Sequence, residues 1–286
     1  MYYRADLLAK YGFVDPPETW DELETMAQTI QEGERAENPD FSGFVWQGNA
    51  YEGLTCDALE WIASNNGGTI ISPDGTITVN NDNAIEIVEK AAGWVGTISP
   101  VAVTGFAEED SRRAFQSGNA AFMRNWPYAY VLGNEEGSDV AGKFEVAPLP
   151  TGDGGSPASC LGGSSLAVSK YSQNLEVAVD VALFLGSYEE QKIRAIEGSL
   201  NPTIPELYED EDVLAAVPFF GSLYDVFVNG VPRPSTAVAP RYAEVSRAFY
   251  TTVHDVLTGK KDAETALGEL ELDLEEITGL PTGTPE

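Results

Sequence analysis

Three observations bear on the fold, and the first of them predicts α/β. Short apolar runs bounded by Gly, Pro and Asn alternate with longer segments of helical period along the whole chain. Hydrophobic residues make up 43% of the 286 positions, enough to bury the core of one large domain or two smaller ones. No run reaches the roughly 18 apolar residues of a membrane-spanning helix.

The elements follow in order. Tyr2 and Tyr3 read as the end of a strand, and Asp15-Pro16-Pro17 as a breaker. Thr19-Trp20-Asp21-Glu22 has the form of a capping box, and Leu23, Met26, Ala27 and Ile30 continue from it at helical spacing. Phe44-Val45-Trp46 predicts a short strand, and Leu54 to Ala63 a helix stopped by Asn65-Asn66-Gly67-Gly68. Ile70-Ile71 and Thr76 to Val79 flank the turn signal Pro73-Asp74-Gly75 and predict a hairpin. Ala84 to Val95 and Ser111 to Ser117 are expected to be helical. Phe144 to Ala147 and Leu166-Ala167-Val168 are expected to be strands. Helices are then expected from Ser172 through Leu185, from Glu189 to Ile196, from Arg241 to Leu257 and from Ala263 to Ile277.

Forty-six acids against sixteen bases leave a net charge of -30. That excludes nucleic acid as a partner, because phosphate binding needs clustered Lys and Arg. The acids recur along the whole chain, so the chain repels itself in dilute salt. Few lysines and many carboxylates point to a salt-rich source, an ordinary acidic protein being the alternative. Met1-Tyr2-Tyr3-Arg4 opens without the basic and apolar regions of a signal peptide. Cys56 and Cys160 are too few for a disulfide framework; two buried free thiols are expected, a single bridge being the alternative.

Little in the sequence points to catalysis. His254 is the single histidine, which excludes a metal centre built on several, and its place near a helix end fits a surface residue. Gly162-Gly163-Ser164-Ser165 is not a nucleophile elbow. No dinucleotide or Walker loop occurs, and no cofactor or metal is expected. A carboxylate pair for glycoside chemistry stays open, since 46 acids form pairs by chance.

The richest stretch runs from Phe115 to Tyr130. It reads as helix, Gly118-Asn119 turn, short strand, then Trp126, Tyr128 and Tyr130 at the strand's end. Strand ends of open α/β sheets are where ligands bind, and an indole with phenols suits the apolar faces of sugar rings. On spacing alone, Trp126 and Tyr128 fit the core equally well.

Gly118-Asn119-Ala120-Ala121-Phe122, with Asn125-Trp126-Pro127 and Ala129, resembles a signature of the extracellular solute-binding proteins of ABC sugar importers, the family that includes maltose-binding protein. Tyr2-Tyr3-Arg4-Ala5-Asp6-Leu7-Leu8 and Pro17-Glu18-Thr19-Trp20-Asp21-Glu22-Leu23 resemble two further motifs of that family. Phe44-Val45-Trp46-Gln47-Gly48 with Tyr51-Glu52-Gly53-Leu54 is similar to the archaeal trehalose/maltose-binding branch. Val146 to Pro150, Leu161-Gly162-Gly163 and Val231-Pro232-Arg233-Pro234 are similar to the same branch, in the same order.

The resemblance implies a two-lobe periplasmic-binding-protein-like fold of type II with one lobe incomplete. Residues 1–157 and 217–286 would form the C-terminal lobe and 158–216 the remaining part of the N-terminal lobe. It implies no enzyme but a binding protein that takes a di- or oligosaccharide such as maltose or trehalose between the lobes. An ABC importer's permease subunits would receive it. A carbohydrate-active hydrolase, or a structural protein whose aromatics only pack, is the competing reading. Trp126 would be a stacking platform, joined by Tyr128, Tyr51 and Glu52. Gly162 and Gly163 would offer backbone N–H groups, and Arg233 a charged donor, an ion pair with an acid being its alternative role. Ser164 stands where the branch has an aromatic residue, which removes one stacking surface. The family's N-terminal section, about 100 residues, has no counterpart in the sequence, and an extracellular, cell-surface location through a lipid anchor would be expected from it.

Overall fold

The computed structural model describes residues 1–285, apart from the Ser222 side chain. Its sheet has four strands, β1 (Tyr2–Arg4), β2 (Ser42–Val45), β3 (Ala120–Met123) and β4 (Phe144–Val146), in the order β2-β3-β1-β4. β2 and β3 run parallel, with Phe44 opposite Phe122; β1 lies antiparallel to both β3 and β4. β2 and β3 are buried at all four positions, as expected of strands covered on both faces.

Helices cover the sheet. α1 (Ala5–Tyr11) follows β1 directly, and α2 (Trp20–Glu34) starts at the expected capping box: Thr19 Oγ1 accepts from Glu22 N, and the Glu22 carboxylate accepts from Thr19 N. α3 (Glu52–Ser64) runs through the middle of the molecule, with eleven of its thirteen residues buried. α4 (Asp82–Trp94) and α5 (Glu108–Gln116) complete the first part, and α6 (Ala129–Gly133) follows β3. Near the end of the chain α11 (Tyr242–Leu257) and α12 (Ala263–Thr278) pack on each other, and α11 also packs on α3 and α4. The helices between are α7 (Leu175–Leu185), α8 (Tyr188–Gly198), α9 (Glu211–Ala216) and α10 (Phe220–Val228), with a short 3-10 turn at Pro205–Tyr208.

The main core is aromatic at its centre. Trp20, Trp46, Trp61 and Trp94 are all buried to within 2%. Their rings meet in series, with Trp46 to Trp61 at 5.0 Å, Trp61 to Trp94 at 5.7 Å and Trp94 to Trp20 at 5.4 Å. Two of the indole nitrogens are satisfied, by Ser64 at 3.0 Å and Ser99 at 3.1 Å. A separate apolar cluster, built on Ala195, Leu207, Val213, Val217 and Phe220, joins α8, α9 and α10.

Three readings of the sequence need correction. Leu166-Ala167-Val168 is not a strand: no strand pairs with it, and Leu166 is 54% exposed. Apolar composition favours a strand only where a neighbour completes the ladder. The helix expected from Ser172 starts at Leu175, because Asn174 rather than Ser172 is the residue before its first turn. The expected hairpin contracts to one bridge, Ile71 to Ile77, around Gly75 at φ +88°; Ile77 also bridges to Thr282. α7 differs from every other long helix in burying none of its residues, although its sequence is Leu-Glu-Val-Ala-Val-Asp-Val-Ala-Leu-Phe-Leu.

Candidate binding cleft

Strand β3 ends at Met123, and the next residues turn out of the sheet into a cleft of about 1060 Å³. Its lining includes Arg124, Trp126 and Tyr128 from the segment after β3, and Tyr208, Phe219 and Phe227 from the separate apolar cluster. Gly162, Gly163 and Ser164, all exposed, and Arg233 line it as well. The structure thus brings Trp126, Tyr128, Gly162, Gly163, Ser164 and Arg233 to one cavity.

Trp126 is the one tryptophan outside the stacked series and is half-buried. Its ring lies 4.1 Å from the Arg124 guanidinium carbon, a cation–π contact. Its Nε1–H donates to Glu108 Oε1 at 3.3 Å, and its backbone N–H to Asn125 Oδ1 at 2.8 Å. Gly162 closes on the indole edge so nearly that a Cβ there would sit 3.0 Å from the ring.

Tyr51 and Glu52 do not line the cleft; they stand behind it. The Tyr51 hydroxyl donates to Glu108 Oε2 at 2.7 Å, so Tyr51 and Trp126 share one carboxylate. Glu52 takes Arg233 Nη1 at 2.6 Å, and Tyr242 and Ser246 also donate to it. Arg233 therefore makes the ion pair weighed as its alternative role while still reaching the cleft, and it also donates to Leu161 O at 3.3 Å. The Tyr128 hydroxyl donates to Glu109 Oε1 at 2.7 Å. Burial, reinforced by these carboxylate partners, pushes the Tyr51 and Tyr128 phenols up, so both stay protonated donors.

The residues that hold this wall escape a reading of the sequence. Arg124 is buried and forms a two-point contact with Glu60, at 2.8 and 2.6 Å, a 2.9 Å contact with Asp57 and a 2.9 Å hydrogen bond to Gln47. Burial alone would lower the guanidinium; Asp57 and Glu60 outweigh it and hold the charge in place. Burial pushes the Asp57 carboxyl up against the pull of Arg124, because Glu60 shares the same cation. The available signal was two acids three residues apart in the buried middle of α3, facing an Arg at a strand end. His254 is half-buried, with a ring nitrogen 3.0 Å from Thr104 O. Both cysteines are buried and unbridged, as expected. Among the described residues no group of three or more His, Cys, Asp or Glu could hold a metal ion, and no helix is long and apolar enough to cross a membrane.

Residues 1–192 match the family of bacterial extracellular solute-binding proteins. The chain belongs to that family. Its fold is that of type II binding proteins of the MalE kind: over 96% of its length it superposes on the maltose-bound T. maritima MalE3 with a TM-score of 0.90 and 41% identity, covering 69% of that chain. A probable ABC transporter-binding protein of Deinococcus radiodurans is 56% identical over 98% of this solute-binding chain. The maltodextrin-binding protein MdxE of Bacillus subtilis is 23% identical over 94% of it. The chain spans 66% of the Deinococcus relative and 62% of the Bacillus one. The family is one of solute-binding proteins, not of enzymes.

Proposed function

We propose that this solute-binding chain takes a neutral di- or oligosaccharide into the cleft and, outside the cytoplasmic membrane, presents it to the permease of an ABC importer. The observation that carries this reading is that five aromatic residues, Trp126, Tyr128, Tyr208, Phe219 and Phe227, line one cleft. Such aromatic surfaces suit sugar rings, and the exposed backbone at Gly162-Gly163 suits their hydroxyls. The names of the MalE3 and MdxE relatives, one maltose-bound and one maltodextrin-binding, agree with it. The cations at the cleft are matched, Arg124 by Asp57 and Glu60 and Arg233 by Glu52, which favours an uncharged ligand.

The walls belong to two lobes in this reading. Residues 1–157 and the chain from about Asn229 onward make one, and the segment from 158 makes part of the other. A boundary at 217 would divide the apolar cluster, because Phe220, Leu223 and Phe227 pack with Leu207 and Val213. The two crossings lie side by side: Cys160 bridges to Val231, Leu161 N–H donates to Val231 O at 3.0 Å, and Val231 N–H to Ser159 O at 2.8 Å. The bare face of α7 is where we place the polypeptide that the relatives have beyond the span of this chain.

The test is calorimetric. A chimera carries the part of the Deinococcus relative that this chain does not match. Titrated with maltose and short maltodextrins, it is expected to bind, and the present chain alone, which spans 66% of that relative, to bind weakly or not at all. A chimera that folds, by circular dichroism, and binds none of these sugars overturns the reading.

A further inference from the structure

Three arginines line the cleft, and each stands beside an acid. Arg124 is buried between Asp57 and Glu60, so removing one acid leaves the other. Arg194 pairs with Glu190 one turn away on α8, with the arginine open to solvent, which screens such a pair. Arg233 differs. Among the described residues Glu52 is the one acid it pairs with, at 2.6 Å, and a quarter of the arginine side chain stays exposed. Glu52 opens α3 and does not line the cleft. Tyr242 and Ser246, four residues apart on α11, also donate to its carboxylate. Thr55 Oγ1 lies 2.8 Å from Ser246 Oγ and donates to it, since the Ser246 proton is spent on Glu52. Glu52 is thus held in place from two helices. Arg233 is fixed at a second point, where Nη2–H donates to Leu161 O at 3.3 Å. Among the described residues these contacts use two of the about five N–H groups of the guanidinium, and the rest are left for a ligand.

We propose that Glu52, acting through Arg233, makes the cleft take neutral sugars and refuse sugars that carry a carboxylate. The proposal rests on the reading that the cleft binds a saccharide. An unpaired guanidinium is a two-point receptor for a carboxylate, such as that of a uronic or aldonic acid. With the Glu52 carboxylate on the guanidinium, that receptor is already engaged. A second carboxylate at Arg233 would set two like charges on one cation, an arrangement that selects against the charged ligand. A sugar hydroxyl carries no charge and needs only one of the remaining N–H groups. Glu52 is therefore a positioning residue: it holds the guanidinium, cancels its charge and leaves it as a hydrogen-bond donor.

The chimera described above is titrated with maltose and with two acids of the same size. One is maltobionate, acidic at the reducing end; the other is glucuronosyl-glucose, acidic at the non-reducing end. Using both removes any dependence on which end meets Arg233. The unsubstituted chimera should bind maltose more tightly than either acid. Glu52→Gln should move the ratio of maltose to acid affinity at least about tenfold toward one of the acids, a charge effect that shrinks in about 1 M potassium chloride. Glu52→Asp, which keeps the charge, should restore the original order. Arg233→Gln, which leaves Glu52 without its cation, should move the ratio the other way. A purely structural role would lower all three affinities in parallel; unmoved ratios therefore overturn the proposal, as does an unsubstituted chimera that binds an acid as tightly as maltose. Should Glu52→Gln fail to fold, Arg233→Gln decides, an unmoved ratio again overturning the proposal. A folded chimera that binds neither maltose nor the acids overturns the sugar reading itself, so the two failures are told apart.

Discussion

Trp126 and Tyr51 share one carboxylate, that of Glu108: the indole Nε1–H meets Glu108 Oε1 at 3.3 Å, while the other oxygen holds the Tyr51 hydroxyl at 2.7 Å. Glu108 is the first residue of α5, where the helix N-terminus favours a negative charge. The indole is thus held by its nitrogen, with the Arg124 guanidinium against its ring.

From this follows the first prediction. In a sugar-binding form such as the chimera, Trp126→Ala should cost about 1–3 kcal/mol of affinity, the range of a packed interface anchor. The fold should persist, since the ring is half-buried. A core tryptophan such as Trp61 should behave in the reverse way, losing about 3–5 kcal/mol of stability on truncation. Calorimetry and thermal melts on the same two variants check both halves; intact affinity with a large fall in melting temperature for Trp126→Ala would return it to the core.

Arg124→Ala should be the more damaging change to the fold. It leaves Asp57 and Glu60, both buried, without their cation. Removing one member of a buried ion network costs about 3–5 kcal/mol, and urea unfolding measures it. A cost below about 1 kcal/mol would mean that the acids are relieved by protonation alone.

How much of this was legible beforehand differs by element. The capping box at Thr19 and Glu22 was visible because its signal is local and the same two residues satisfy each other's backbone. Leu166-Ala167-Val168 misled because a strand's partner is not written in its own residues. Trp126, Tyr128 and Arg233 could be placed at a site through motif order. Tyr51 and Glu52 come from the same motifs, but whether a side chain faces the cleft or braces its wall depends on where Glu108 and Arg233 stand. Arg124 was hidden for the opposite reason: it sits inside a recognisable motif, and its burial depends on acids more than sixty residues away.

Salt should stabilise the chain. The net charge of -30 is spread over its length, and the Debye length falls from about 10 Å at 0.1 M to about 3 Å at 1 M. Melting temperature is expected to rise between dilute and molar potassium chloride; an unmoved transition would show that local ion pairs already offset the repulsion.

Acid should loosen the joint between α8 and α9. Lys192 Nζ and the Tyr188 hydroxyl both donate to Asp210 at 2.9 Å, and Asp210 also caps α9. Lys192 is the main reason that the Asp210 carboxyl lies at about 2 rather than at its ordinary 3.8. A carboxyl depressed in the folded state stabilises fully above its ordinary value, and that contribution is lost as pH falls toward about 2. The melting temperature of Asp210→Asn should therefore fall less than that of the wild type between about pH 5 and about pH 3. Equal falls would mean that Asp210 titrates alike in both states.

The paired crossings at Cys160 and Val231 have a mechanical consequence. Two extended ribbons joined edge to edge act as a strap: they bend easily across their width and resist being twisted or sheared, because either would break the hydrogen bonds from Leu161 and Val231. Gly162, beside the strap, stands so close to the indole of Trp126 that any side chain there would press on the ring, so the strap's place and the ring's place are set together.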